Sequence, residues 1–100
     1  MVASVNNVSN EVPLEFRLLQ NYPNPFNPST VIKFELLKSS LVTLSVSDVL
    51  GRVVSVLVNE RKNTGSYEVK FDGSNLASGV YFCRLRAGEF VQTKRLLILR

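Results

Sequence analysis

"STVIKFELL", Ser29 to Leu37, alternates strictly: Ile32, Phe34 and Leu36 are apolar, while Lys33 and Glu35 between them are charged. A side-chain period of two is the signature of a strand with one dry and one wet face. The same texture recurs outward from this stretch. "LVTLSVSDV" sets Val42, Leu44 and Val46 against Thr43, Ser45 and Ser47. "SYEVKFD" sets Tyr67, Val69 and Phe71 against Glu68 and Lys70, and "GVYFCRLRAG" sets Tyr81, Cys83 and Leu85 against Phe82, Arg84 and Arg86. "RVVSVLVN" and "KRLLILR" are more continuously apolar, and their inward faces are not decided by pattern. Val, Ile, Thr, Phe and Tyr dominate the runs, as suits strands rather than helices.

The breaks between runs carry turn chemistry. In "DVLG", Asp48 can accept backbone N–H groups and Gly51 can take positive φ. Asn59 to Gly65 reads as a longer polar connection. "DGSNLASG", Asp72 to Gly79, is too long for a tight hairpin, and Leu76 within it is placed to plug the end of a core. "AGEF" closes a last hairpin between Ala87 and Phe90. Counting the stretch before Pro23, about seven strands follow one another with no helix longer than a turn. This predicts an all-β fold, an immunoglobulin-like antiparallel β-sandwich.

Before "STVIKFELL" stands "NYPNPFNPST", Asn21 to Thr30. Pro23, Pro25 and Pro28 fix φ and cannot donate to a ladder. They also push Tyr22, Asn24 and Asn27 toward extended conformations. The segment therefore reads as architectural: a stiff extended piece at a sheet edge, pinned to the core by Tyr22 and Phe26, with Asn side chains satisfying freed backbone groups. "VASVNNVSNEVP", Val2 to Pro13, has no sustained period, so residues 1–13 read as a flexible linker and 14–100 as one domain.

Composition excludes most chemistry. There is no histidine, which removes the usual general base and the commonest zinc ligand. The lone Cys83 excludes an internal disulfide and reads as a buried, inert thiol. Asp48 and Asp72 occupy turn positions, where capping is the usual work of a carboxylate. With loop carbonyls they are the only calcium ligands in view, and no clustered acidic loop supports them. No phosphate loop, no nucleic-acid module pattern and no apolar run long enough to span a membrane occurs. The chain is read as a non-enzyme with no cofactor, no metal and no small-molecule substrate. Met1 begins no signal peptide, so the chain reads either as staying inside or as a piece of a longer exported protein.

The net charge of +4 is unevenly placed. Residues 1–83 hold seven Lys/Arg and seven Asp/Glu, whereas Arg84, Arg86, Lys94, Arg95 and Arg100 face only Glu89 in the last 17 residues. Such an end suits phosphate, an acidic membrane surface or an acidic partner, and equally a strand whose outward positions happen to be basic.

"LLQNYPNPFNPSTVIKFEL" resembles the opening of the type A C-terminal sorting domain carried by cargo of the bacterial type IX secretion system. The resemblance continues through "VTLSVSDVLGRVVSVLVN", "GSYEVKFDGSNLASGVYFCRLRAG" and "FVQTKRLLILR", roughly Leu14 to Arg100. The pattern is also similar to the immunoglobulin-like domain of flagellar hook-capping proteins. The family resemblance implies the tail of a larger secreted protein of the Bacteroidetes or a related lineage, exported through the periplasm and outer membrane to the cell surface or beyond. The implied partners are the type IX translocon, an outer-membrane shuttle protein and a surface sortase. The sortase would cut within Val2 to Pro13 and attach the cargo to anionic lipopolysaccharide. By the same resemblance, recognition rests on the last strand, Lys94, Arg95, Leu96, Leu97, Ile98, Leu99 and Arg100. Gly51, Gly65 and Gly79 match motif glycines. An open edge on that strand would allow reading by strand addition, with Lys94, Arg95 and Arg100 turned toward an acidic partner. The alternative reading is a passive structural or adhesive module: a spacer, a glycan-binding domain presenting Phe82 and Phe90, or a hook-cap-like assembly domain.

Overall fold

The alternating runs fold into strands that turn Ile32, Phe34 and Leu36, Val42, Leu44 and Val46, Tyr67, Val69 and Phe71, and Tyr81, Cys83 and Leu85 to the core side. In a computed structural model of the chain, which describes residues 5–9 and 13–100, the elements are β1 (Val5–Ser9), β2 (Arg17–Leu18), β3 (Ser29–Leu36), β4 (Ser40–Ser47), β5 (Val53–Lys62), β6 (Gly65–Asp72), β7 (Gly79–Ala87) and β8 (Phe90–Ile98). Seven of these lie between Arg17 and Ile98, and all pairs are antiparallel. They form two four-stranded sheets, in the orders β1-β6-β3-β2 and β5-β4-β7-β8. This is the expected all-β sandwich. β1 falls within the segment read as linker and pairs along β6.

The core lies between the sheets. Ile32, Phe34, Leu36, Tyr67, Val69 and Phe71 face inward from one sheet; Val42, Leu44, Val46, Tyr81, Cys83, Leu85, Leu96 and Ile98 face them from the other. Phe34 stacks on Tyr67 with centroids 5.4 Å apart, and Phe26 meets Phe71 edge-on at 6.0 Å. The two inward tyrosines keep their hydroxyls satisfied within their own chain neighbourhood. Tyr67 Oη donates to the Asn63 carbonyl and Tyr81 Oη to the Ala77 carbonyl, both at 2.8 Å. A buried phenol without such a partner would be costly, so these bonds also fix the two loops that precede β6 and β7. Leu76 packs against the core from its loop, as its apolar character in a polar stretch suggested.

Three local expectations change. Asn59 to Gly65 is not a long connection: β5 continues through Lys62, and its polar end pairs with Ser40–Thr43 of β4, leaving a short link into β6. Polar residues are tolerated there because β5 is an edge strand, with only Val58 buried. Phe90 is not an outward aromatic. It pairs with inward Ala87 and stacks on Phe16 at 5.4 Å. Tyr22 does not pin the proline segment to the core, because its ring is 82% exposed.

Phe26 carries that role alone, at 2% exposure. Phe26→Ala should lower stability by about 3–5 kcal/mol, read as a reduced urea midpoint with little change in slope. A shift well under this would show that the ring is not packed as described.

Candidate functional site

The proline segment is the connection from β2 to β3, and it leaves its own sheet to reach the other. Tyr22 and Val31 exchange two backbone hydrogen bonds of 3.0 Å, so the segment starts against β3. The chain then bends rather than running extended, and all three X–Pro bonds are cis. Phe26 N–H donates to the Leu97 carbonyl at 3.0 Å, and Leu99 N–H donates to the Phe26 carbonyl at 3.1 Å. Leu97 N–H donates to Asn24 Oδ1 at 3.0 Å. The expectation of an extended edge piece is thus corrected. The segment is a bent strap that joins β3 to β8 across the open side of the sandwich.

Asparagine and threonine chemistry holds the bend. Buried Asn21 donates from Nδ2 to the Pro23 carbonyl and to Thr30 Oγ1, both at 3.0 Å, while Thr30 Oγ1 donates to the same Pro23 carbonyl at 2.7 Å. Gln20 Nε2 bonds Asn21 Oδ1 at 2.7 Å and the Arg95 carbonyl at 2.8 Å. Among the described residues no buried side-chain polar atom is left unpaired. Proline-rich backbone lacks donors of its own, and these side chains replace them.

The terminal strand is therefore not an open edge at its end. Leu97 and Leu99 give their outward backbone groups to the strap. Leu96 and Ile98 are fully buried, Leu97 is half-buried, and Leu99 is exposed. Arg100 is also engaged: its N–H donates to Ser78 Oγ at 2.9 Å, and Nη2 donates to the carbonyls of Gly73 (2.9 Å) and Ser74. Lys94 and Arg95 form no ion pair among the described residues. Upstream, β8 faces β2 across an open groove of about 530 Å³, where Leu18 N–H donates to Gln92 Oε1 at 2.8 Å. The other edge of this sheet, β5, is bare along Val53, Val54 and Val56.

Sequence reasoning missed Gly73. Its N–H donates to the Pro28 carbonyl at 2.8 Å, and a Cβ built there would lie 3.0 Å from Ile98 Cδ1 and 3.4 Å from a Phe26 ring carbon. A side chain at Gly73 would press on the end of Ile98 and on the Phe26 ring, which would have to give by a few tenths of an ångström for the Asp72–Gly79 loop to close as it does. The motif glycines are dispersed. Gly51 ends the β4–β5 turn at φ 83°, while Gly65 and Gly79 open β6 and β7. In that turn Asp48 Oδ1 accepts from Leu50 N–H (2.9 Å) and Arg52 N–H (3.0 Å). Desolvation pushes the Asp48 carboxyl up, but the hydrogen bonds from Arg52 and Leu50 outweigh it and hold it below the usual value. Ser74 hydroxyl and N–H similarly hold Asp72 down. Both carboxylates are committed to capping. Burial pushes the Cys83 thiol up to about 12, consistent with an inert sulfur. Among the described residues no group of three or more His, Cys, Asp or Glu gathers as a metal-ligand set.

Among the described residues, the elaborated feature of the sandwich is its strapped terminal strand. A family model described as "Secretion system C-terminal sorting domain" matches residues 20–99, and the chain belongs to that family. It is the C-terminal sorting signal of type IX secretion cargo, not itself catalytic, and it implies interaction with the type IX machinery and export to the cell surface or secretion. No curated protein and no solved structure matched the chain.

Asn24→Ala should free the Leu97 amide. Its hydrogen exchange should accelerate while β4 and β7 amides keep their protection, with a stability loss of about 1 kcal/mol. Unchanged exchange at Leu97 would mean that the strap does not hold the strand.

Proposed function

We propose that residues 14–100 are the export address of a larger cargo protein, and that Lys94 to Arg100 form the part read by the translocon and an outer-membrane shuttle protein. The observation that supports this is the match over residues 20–99, which takes in the strap and all of β8. The buried Leu96 and Ile98 would act by holding the strand in register, since a partner cannot reach them in the folded domain. Lys94, Arg95 and Leu99 are the side chains left for direct reading, and Arg100 fixes the strand end to the Gly73–Ser78 loop. Gly51, Gly65 and Gly79 serve the folded shape on which that reading depends. A surface sortase then cuts within Val2 to Pro13 and attaches the cargo to anionic lipopolysaccharide.

The test is secretion of a fluorescent protein placed behind a signal peptide and ahead of residues 2–100, in a bacterium with a working type IX system. Surface fluorescence is expected for the full tail. Retention in the periplasm is expected for a tail ending at Leu96. Lys94→Ala with Arg95→Ala should reduce export without unfolding the domain, as both side chains lie outside the core. Export undiminished by the double change would remove these two cations from the signal. Retention of the full, folded tail would overturn the address itself.

A further inference from the structure

The fold scatters the basic end. Arg100 is tied to a loop, Lys94 lines the β2–β8 groove, and Arg84, Arg86 and Arg95 lie together on the outer face of the β5-β4-β7-β8 sheet. The register places Thr43 opposite Arg86, Ser45 opposite Arg84, and Thr93 opposite Arg84 on the other side. Arg84 and Arg86 are two residues apart on β7, so their stems rise about 6.6 Å from each other. Each has a hydroxyl-bearing neighbour at a Cβ separation of about 5 Å, and Arg95 lies on a diagonal from Arg84 at about 7–8 Å. Thr43, Ser45, Arg84 and Arg86 alone line a recess of about 130 Å³.

No carboxylate of the described residues pairs with any of these arginines. The ion pairs among the described residues involve Arg17, Arg52 and Lys62. The outer face of the other sheet carries both signs instead, with Lys33 in register with Glu68 and Arg17 paired with Glu35. Both arginines are exposed, so solvent already screens most of their mutual repulsion, and an anion seated between them would remove what remains. Guanidinium forks bind oxyanions through parallel N–H donors, and two hydroxyls add donors from the facing strand. Donors converging from both sides match a tetrahedral oxyanion better than a planar carboxylate, which offers two oxygens.

We propose that Arg84, Arg86, Thr43 and Ser45 form a binding site for a phosphate- or sulfate-type oxyanion group, with Arg95 beside it to hold a second charge. This goes beyond the sorting role and does not depend on it. The probe is inorganic phosphate, titrated into the isotope-labelled 100-residue chain at constant ionic strength and followed by amide shifts. Saturable shifts are expected at Thr43, Ser45, Arg84 and Arg86. Arg84→Gln with Arg86→Gln should weaken them by about tenfold or more, the loss of one charge-assisted contact or better. Lys33→Gln with Lys70→Gln removes the same charge from the other sheet and should leave them unchanged. A second arm uses phosphatidylcholine vesicles with and without phosphatidic acid. Sedimentation with the phosphatidic acid vesicles, lost in the arginine variant, assigns the group to a lipid headgroup. Phosphate binding without it assigns the group to a soluble phosphoryl ligand. Unsaturable shifts, equal weakening by the lysine variant, or equal displacement of phosphate by a glutamate-rich peptide would each overturn the site.

Discussion

Two backbone hydrogen bonds, Phe26 N–H to Leu97 and Leu99 N–H to Phe26, join one sheet of the sandwich to the edge of the other. Much else follows from them. They set the depth at which the Phe26 ring enters the core, against Phe71 and over Gly73. They convert the end of β8 from an open edge into an interior one, which removes a template for unwanted pairing. They also require the bend after Tyr22, and so the Asn21–Pro23–Thr30 network that holds it. The chain brings together residues more than 70 positions apart, so the closure forms only when both sheets are in place.

A sorting signal built this way differs from a linear peptide tag. Leu96 and Ile98 of the terminal strand are core, and the strand's end is gripped by the strap and by Arg100 contacts to the Gly73–Ser78 loop. In the reading proposed above, what the machinery meets is therefore a folded surface. Unfolding would expose Leu96 and Ile98 but would also dissolve the arrangement of Lys94, Arg95 and Leu99. On that reading stability and address are coupled through the same residues, so defects in the strap would act on recognition at a distance from the cations.

The electrostatic pattern follows the sheet geometry rather than the chain order. Alternation sends Arg84, Arg86 and Arg95 outward and Lys94 toward the groove, although Lys94 and Arg95 are neighbours in sequence. A run of basic residues near one terminus thus becomes a compact arginine face, a groove lysine and a tethered terminal arginine.

Local pattern alone determined the alternating strands β3, β4, β6 and β7, their inward residues and two turns. Ile32, Phe34, Leu36, Val42, Leu44, Val46, Tyr81, Cys83 and Leu85 all face the core as period two required, and Asp48–Gly51 and Ala87–Phe90 close as their turn residues dictated. The family motifs were legible for the same reason, since they are sequence patterns. What the sequence did not disclose is non-local. Tyr22 and Phe26 each adjoin a proline of the same segment, yet one is outside and one buried, because Phe26 lies where β8 and the Gly73 loop leave room. Which sheet edge is covered, which way Phe90 turns, and that β5 runs on through polar residues all depend on strands far away in the chain. Side-chain alternation is set by each residue's own backbone; edges and closures are set by pairings between distant segments, and those exist only in the tertiary structure.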